Sequence, residues 1–305
     1  MKPQRTGWRR WKSRLMAVLA VLCVVAALIP LFAILGAALA RGLPAVLSPG
    51  FFTTNLPVPC SPGTLPADCP KGGIFNSLQG TIVLIGVGSL IAIPVGILTG
   101  IYLSEYGGSR ASGSLRFFVE VMVGIPSIVV GIFVYTAITL AAMNGWISSF
   151  WATSTFAGAL ALAVIMIPII ARTCDEALAI VPRATREAAL ALGIPRHRTT
   201  LHIVLATGRG AVLTGVLLGV ARGIGETAPL IVTAGTLSIF GFQGLAHPTA
   251  NLPYTIYQFG LSNYSNWIPI AWGGAIVLIG VMLLISIGAR LLFYRAARRM
   301  GGGLV

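Results

Sequence analysis

From Thr227 to Ala289 the chain runs for 63 residues without one Asp, Glu, Lys or Arg, and from Val121 to Ala171 for 51. A water-exposed body needs roughly a quarter of its residues charged. Here only 9% of the 305 residues are charged and 56% are hydrophobic, with a mean hydropathy of +0.90. Such a chain cannot cover a soluble surface, and it is far too apolar to stay disordered. It is an integral membrane protein.

Crossing about 30 Å of hydrocarbon takes roughly 20 apolar residues in a helix. Six stretches qualify, at about 15–40, 77–104, 117–142, 154–173, 209–236 and 267–294. The long uncharged runs each hold two spans. Asn144-Gly145 with Ser148 and Ser149 marks a turn in the first run, and Gly241, Pro248, Asn251, Pro253 and Asn263 mark a loop in the second. Barrel strands would alternate apolar with polar residues, whereas these runs are apolar all round. The expected fold is therefore all-α, with six transmembrane helices. The first apolar run exceeds the core of a secretory signal and reads as a retained helix.

The formal net charge of +14 is distributed by loop. Six basic residues fall in the tail 1–14, two in the second loop (Arg110, Arg116), six from Arg172 to Arg209, and four from Arg290 to Arg299. Only Arg41 and Lys71 fall in the alternate loops. Charge placed between apolar runs is a membrane-topology signal, not a nucleic-acid footprint, and it puts both termini, including the tail 296–305, in the cytoplasm. On the other side, Cys60 and Cys69 share a Pro-rich loop where a disulfide would persist; a bridge and two free thiols are both open.

No segment reads as a phosphate-cradling Gly-rich loop ending in Lys-Ser/Thr, and His197, His202 and His247 lack zinc-ligand spacing. A non-catalytic chain with no metal and no bound cofactor is expected.

Two regions carry chemistry. The cytoplasmic loop 174–208 contains Pro182, suited to a first helical turn, and Gly193, suited to closing one. Between them lies Glu187-Ala188-Ala189, and Ile203 and Leu205 follow. Small alanines permit close docking and the glutamate offers an anchor; the alternative is a basic amphipathic hairpin on the membrane surface. The second region is the fifth span, where Arg222 and Glu226 lie four residues apart and stack on one face. Gly215, Gly219 and Gly223 line a close-packing face, onto which Glu226 projects. Pro229, two residues after Thr227, is expected to bend the helix beyond. Charge inside a membrane marks a pathway by default, although a self-neutralised pair can serve packing alone. Arg172, Asp175, Glu176 and Glu120 lie near span ends, where snorkelling and a pathway role are both open.

The pattern Glu187-Ala188-Ala189-x-x-x-Gly193-x9-Ile203-x-Leu205 resembles the loop by which permease subunits of ABC importers dock their ATPase, with Ala206 where that family usually has proline. Gly124-Ile125-Pro126-Ser127-Ile128-Val129-Val130-Gly131 and Arg222-Gly223-Ile224-Gly225-Glu226-Thr227-Ala228-Pro229 resemble motifs of the phosphate-specific (Pst) permeases, of the PstA type. By itself the first stretch is also what a kinked packing helix looks like.

The resemblance implies a type I ABC importer permease fold in the bacterial inner membrane and a role in ATP-driven phosphate uptake. The implied partners are a second permease (PstC-like), an ATPase dimer (PstB-like) that holds ATP and Mg, and an external phosphate-binding protein (PstS-like). Glu187 and Gly193 would transmit motion, and Arg222 and Glu226 would act at the anion path or its gate. A permease for sulfate or molybdate, and a secondary transporter or channel working without ATP, are the alternatives.

Overall fold

The computed structural model describes residues 6–61, 68–235 and 241–301. The outermost parts of both expected tails (1–5 and 302–305) and the end of the expected fifth span (residue 236) lie outside them. The described residues are almost wholly helical. Five helices are long and apolar enough to cross a membrane, or six when a bent pair is counted as one span.

At the centre stands α5 (Thr155–Ala179), whose Ala157, Ala159, Ala161, Leu162, Ala163, Met166, Ile170 and Ala171 are all buried. Lipid gives no hydrophobic drive for helices to associate, so close approach of small residues must supply the attraction. The glycines of α2 (Phe75–Glu105) serve that end. A Cβ added at Gly96 would lie 2.8 Å from the Ile170 Cβ, and one at Gly100 2.5 Å from the Cys174 Cβ. On another side of α5, Gly215, Gly219 and Gly223 of α8 (Leu205–Ile224) seat against Thr173, Ile170 and Met166.

The expected third span, 117–142, is not one straight helix. It is a pair, α3 (Arg110–Gly124) and α4 (Ser127–Met143), bent by 107°. The break falls at Ile125-Pro126, because proline drives the residue before it out of helical backbone; Ile125 has φ −71° and ψ 131°. The fifth span also differs from 209–236. Its helix starts in the basic loop, as α7 (Arg196–Arg198), passes through a π-helical turn (Thr199–Val204) into α8, and stops at Ile224. The helix is interrupted over Gly225–Thr227, before Pro229 and not beyond it, and α9 (Ala228–Thr233) follows.

The loop expected around Asn251–Asn263 contains a helix, α10 (Leu252–Gly260), capped by the Asn251 side chain, which accepts from the Tyr254 amide at 3.0 Å. An Asn N-cap followed by Pro253 is a readable start signal, and the Gly/Pro/Asn content of the region masked it.

α1 (Thr6–Val46) spans about 60 Å at 1.5 Å per residue, beyond what a bilayer needs. It packs on α11 (Trp267–Gly301). At this end Cys60 and Cys69 form a disulfide. Asn266 clasps that loop, donating to the Val58 and Pro70 carbonyls at 3.0 Å each and accepting from the Cys60 amide at 3.3 Å. The Trp267 indole donates to the Pro57 carbonyl at 3.1 Å. The opposite end carries the basic loop and α6 (Arg183–Ala191).

Candidate functional site: an intramembrane cavity and a basic-end loop

The corner between α3 and α4 is a wall of a cavity of about 120 Å³. Ile125, Ser127 and Val130 line it from the corner, Ile165 and Ile169 from α5, and Arg222 from α8. Two stretches nearly a hundred residues apart in sequence therefore meet. They also touch directly: a Cβ on Gly131 would lie 2.6 Å from the Pro229 Cα, so only glycine lets α4 and α9 approach this closely.

Arg222 and Glu226 form an ion pair at 2.6 Å (Nε to Oε1), but their surroundings differ. The Glu226 side chain is 9% exposed and that of Arg222 58%. Of the two charges expected to stack on one helix face, only Glu226 is therefore buried. Glu226 lies beyond the end of α8, turned inward at Gly225, while the longer arginine emerges at the edge of that face into the cavity. Thr227 is half-buried and Pro229 buried beside them. The arrangement offers hydrogen-bond donors and positive charge to whatever enters the cavity. A guanidinium offers several donors, its buried carboxylate partner fixes it, and the first two amides of α4, those of Ser127 and Ile128, lack intrahelical acceptors and lie at the positive end of the helix dipole.

At the basic end, Gly193 closes α6 at φ +77°, a left-handed conformation that residues with a Cβ adopt at a cost. Glu187 and Ala188 are exposed, Ala189 is buried, and Ile203 and Leu205 are half-buried along the π-turn and the start of α8. This surface adjoins a cavity of about 230 Å³ lined by Arg183, Arg186, Glu187, Arg196, Thr199 and Glu105, among others.

The remaining charged residues separate. Arg172 and Glu176 form an exposed i,i+4 pair at 2.9 Å, the geometry of a solvated helix surface, and Glu120 is exposed on α3. Asp175 instead is buried and binds Arg116 of α3 at 2.8 Å, tying α3 to α5. Sequence reading missed that partnership. It also missed a second one, between Arg186 and Glu105 at 2.9 Å. Their separation of 81 residues hid it, since a charge beside a membrane span reads as surface until its partner is seen.

Residues 92–302 match the family model described as the binding-protein-dependent transport system inner membrane component. The chain is 38% identical over 290 residues to the phosphate transport system permease protein PstA of Haemophilus influenzae, covering 95% of this chain and 96% of that one. It is 40% identical over 286 residues to PstA of Pasteurella multocida, covering 93% and 95%. In fold it is similar to the inward-facing MetNI methionine ABC transporter, with a TM-score of 0.55 and 19% identity over 73% of this chain and 94% of that one.

Proposed function

The chain belongs to the binding-protein-dependent transport system inner membrane components, and from that premise we propose that it is a permease subunit of an ATP-driven phosphate importer in the bacterial inner membrane. Full-length similarity to phosphate permeases supports the substrate. The observation that carries the path is the meeting of Arg222 with the Ser127 corner in one membrane-embedded cavity. A phosphate released by an external binding protein (PstS-like) passes this cavity, which a second permease (PstC-like) closes from the side where Arg222 is exposed. The planar guanidinium matches phosphate oxygens, and Glu226 holds it between transits. Thr227 and Pro229 form the turn that keeps the carboxylate beneath it.

An ATPase dimer (PstB-like), holding ATP and Mg, docks on Glu187, Ala188 and the Gly193 turn from the cytoplasm, the side of both termini. Ile203 and Leu205 anchor the returning helix. Nucleotide binding and hydrolysis reshape the helices, so the cavity opens to each side in turn.

Competition tests the substrate. Uptake of labelled phosphate by the assembled importer is expected to be blocked by arsenate, which has the same shape and protonation pattern, and spared by sulfate, which offers no proton to an acceptor. Sulfate or molybdate competing as well as arsenate would overturn phosphate as substrate and leave the permease architecture standing.

A further inference from the structure

The Arg186 side chain makes contacts that no role above requires. It stands on α6, immediately before Glu187-Ala188-Ala189, yet it reaches back into the bundle. Its guanidinium binds Glu105, the last residue of α2, at 2.9 Å. It also donates to the carbonyl of Leu178, in the last turn of α5, at 2.9 Å and to that of Val181, just beyond the helix. The Leu178 carbonyl also accepts from the Val181 amide at 3.2 Å, and a cation suits this end of α5 because it carries the negative end of the helix dipole. Both ion-pair side chains are largely buried, 19% and 13% exposed, so the link is less screened than a surface pair.

Among the described residues, no other side chain of α6 forms a hydrogen bond or ion pair. The helix is also held by its two linkers, Ile180–Pro182 and Leu192–Pro195, and by packing on the π-turn. Displacement of α6 therefore reaches α2 and α5 together through one guanidinium. These two helices form the core of the bundle through Leu84, Ala92, Leu162 and Met166, and α5 also lines the Arg222 cavity through Ile165 and Ile169.

We infer that Arg186 is the positioning residue that couples the ATPase-docking helix to α2 and α5, its pairing with Glu105 converting movement of α6 into movement of the helices around the transport cavity. The inference rests on the permease reading above. Arginine is needed because a single planar fork must serve one carboxylate and two carbonyls; lysine, a point charge, cannot hold all three in fixed geometry.

The test uses the complete importer in proteoliposomes, with ATPase, second permease and binding protein, and reads phosphate taken up per ATP hydrolysed. Arg186→Met is expected to lower that ratio roughly tenfold, within the range of coupling between linked sites, and Arg186→Lys to recover part of it. A residue with only a structural role would lower uptake and hydrolysis together and leave the ratio at the wild-type value, which would overturn the inference. If Arg186→Met fails to assemble, Glu105→Gln decides, since it leaves α6 and its carbonyl bonds untouched: a several-fold fall in the ratio supports the link, and an unchanged ratio overturns it. Failure of the substrate reading looks different. A wild-type complex that imports another solute, and whose ratio for that solute falls in Arg186→Met, contradicts phosphate while upholding the coupling residue.

Discussion

Arg222→Gln is expected to lower phosphate uptake by roughly 10- to 100-fold while the subunits still assemble. A hydrogen bond to a charged group contributes about 1.5–3 kcal/mol, and each 1.4 kcal/mol is about tenfold. Assembly is spared because Arg222 is more than half exposed and the glycine face beside it packs on α5 without it. Two mechanisms would reduce uptake in this variant: loss of a donor to the anion, and the repulsion of a Glu226 carboxylate left without its partner. The double variant Arg222→Gln/Glu226→Gln separates them. If Arg222 serves the anion, the double variant stays as inactive as the single one. Wild-type uptake in Arg222→Gln, or full recovery in the double variant, would remove Arg222 from the path.

The second large effect is expected from Gly131→Val. Its Cβ would have to sit 2.6 Å from the Pro229 Cα and 2.8 Å from the Pro229 carbonyl oxygen. These are backbone atoms of a short helix, which cannot rotate aside as a flexible side chain would. Overpacking of this kind costs about 1–3 kcal/mol, and relief requires α4 to part from α9. That moves the Ser127 corner away from Arg222, so uptake is expected to fall at least about tenfold. Gly36→Val on α1, where an added Cβ meets nothing within 4 Å, is the matched control and should transport normally. Equal uptake by the two variants would mean that the contact between α4 and α9 does not shape the path.

Much of the membrane architecture was legible because a span is a statement about composition. Leu15–Ala40 carries no charge, and the bilayer admits only a helix there. The Arg222–Glu226 pair was legible from its spacing, and so was the glycine face of α8. What the sequence concealed depended on direction and distance. Pro126 announced a break but not its angle, and the corner that lines the cavity follows from the angle. Gly225 ended α8 before Pro229 could bend it, so Glu226 turned inward while Arg222 did not. Arg186 and Glu105, like Arg116 and Asp175, are far apart along the chain, and only the packing of α6 on α2 and of α3 on α5 reveals each as half of a pair.

The division of labour between a conduit and a separate motor is tested most directly by phosphate accumulation in vesicles that contain this chain, its second permease and the external binding protein, with and without the ATPase, at fixed internal ATP. Accumulation against a gradient is expected only when the ATPase is present. Equal accumulation in its absence would contradict an ATP-driven permease and point to transport powered by the chain alone.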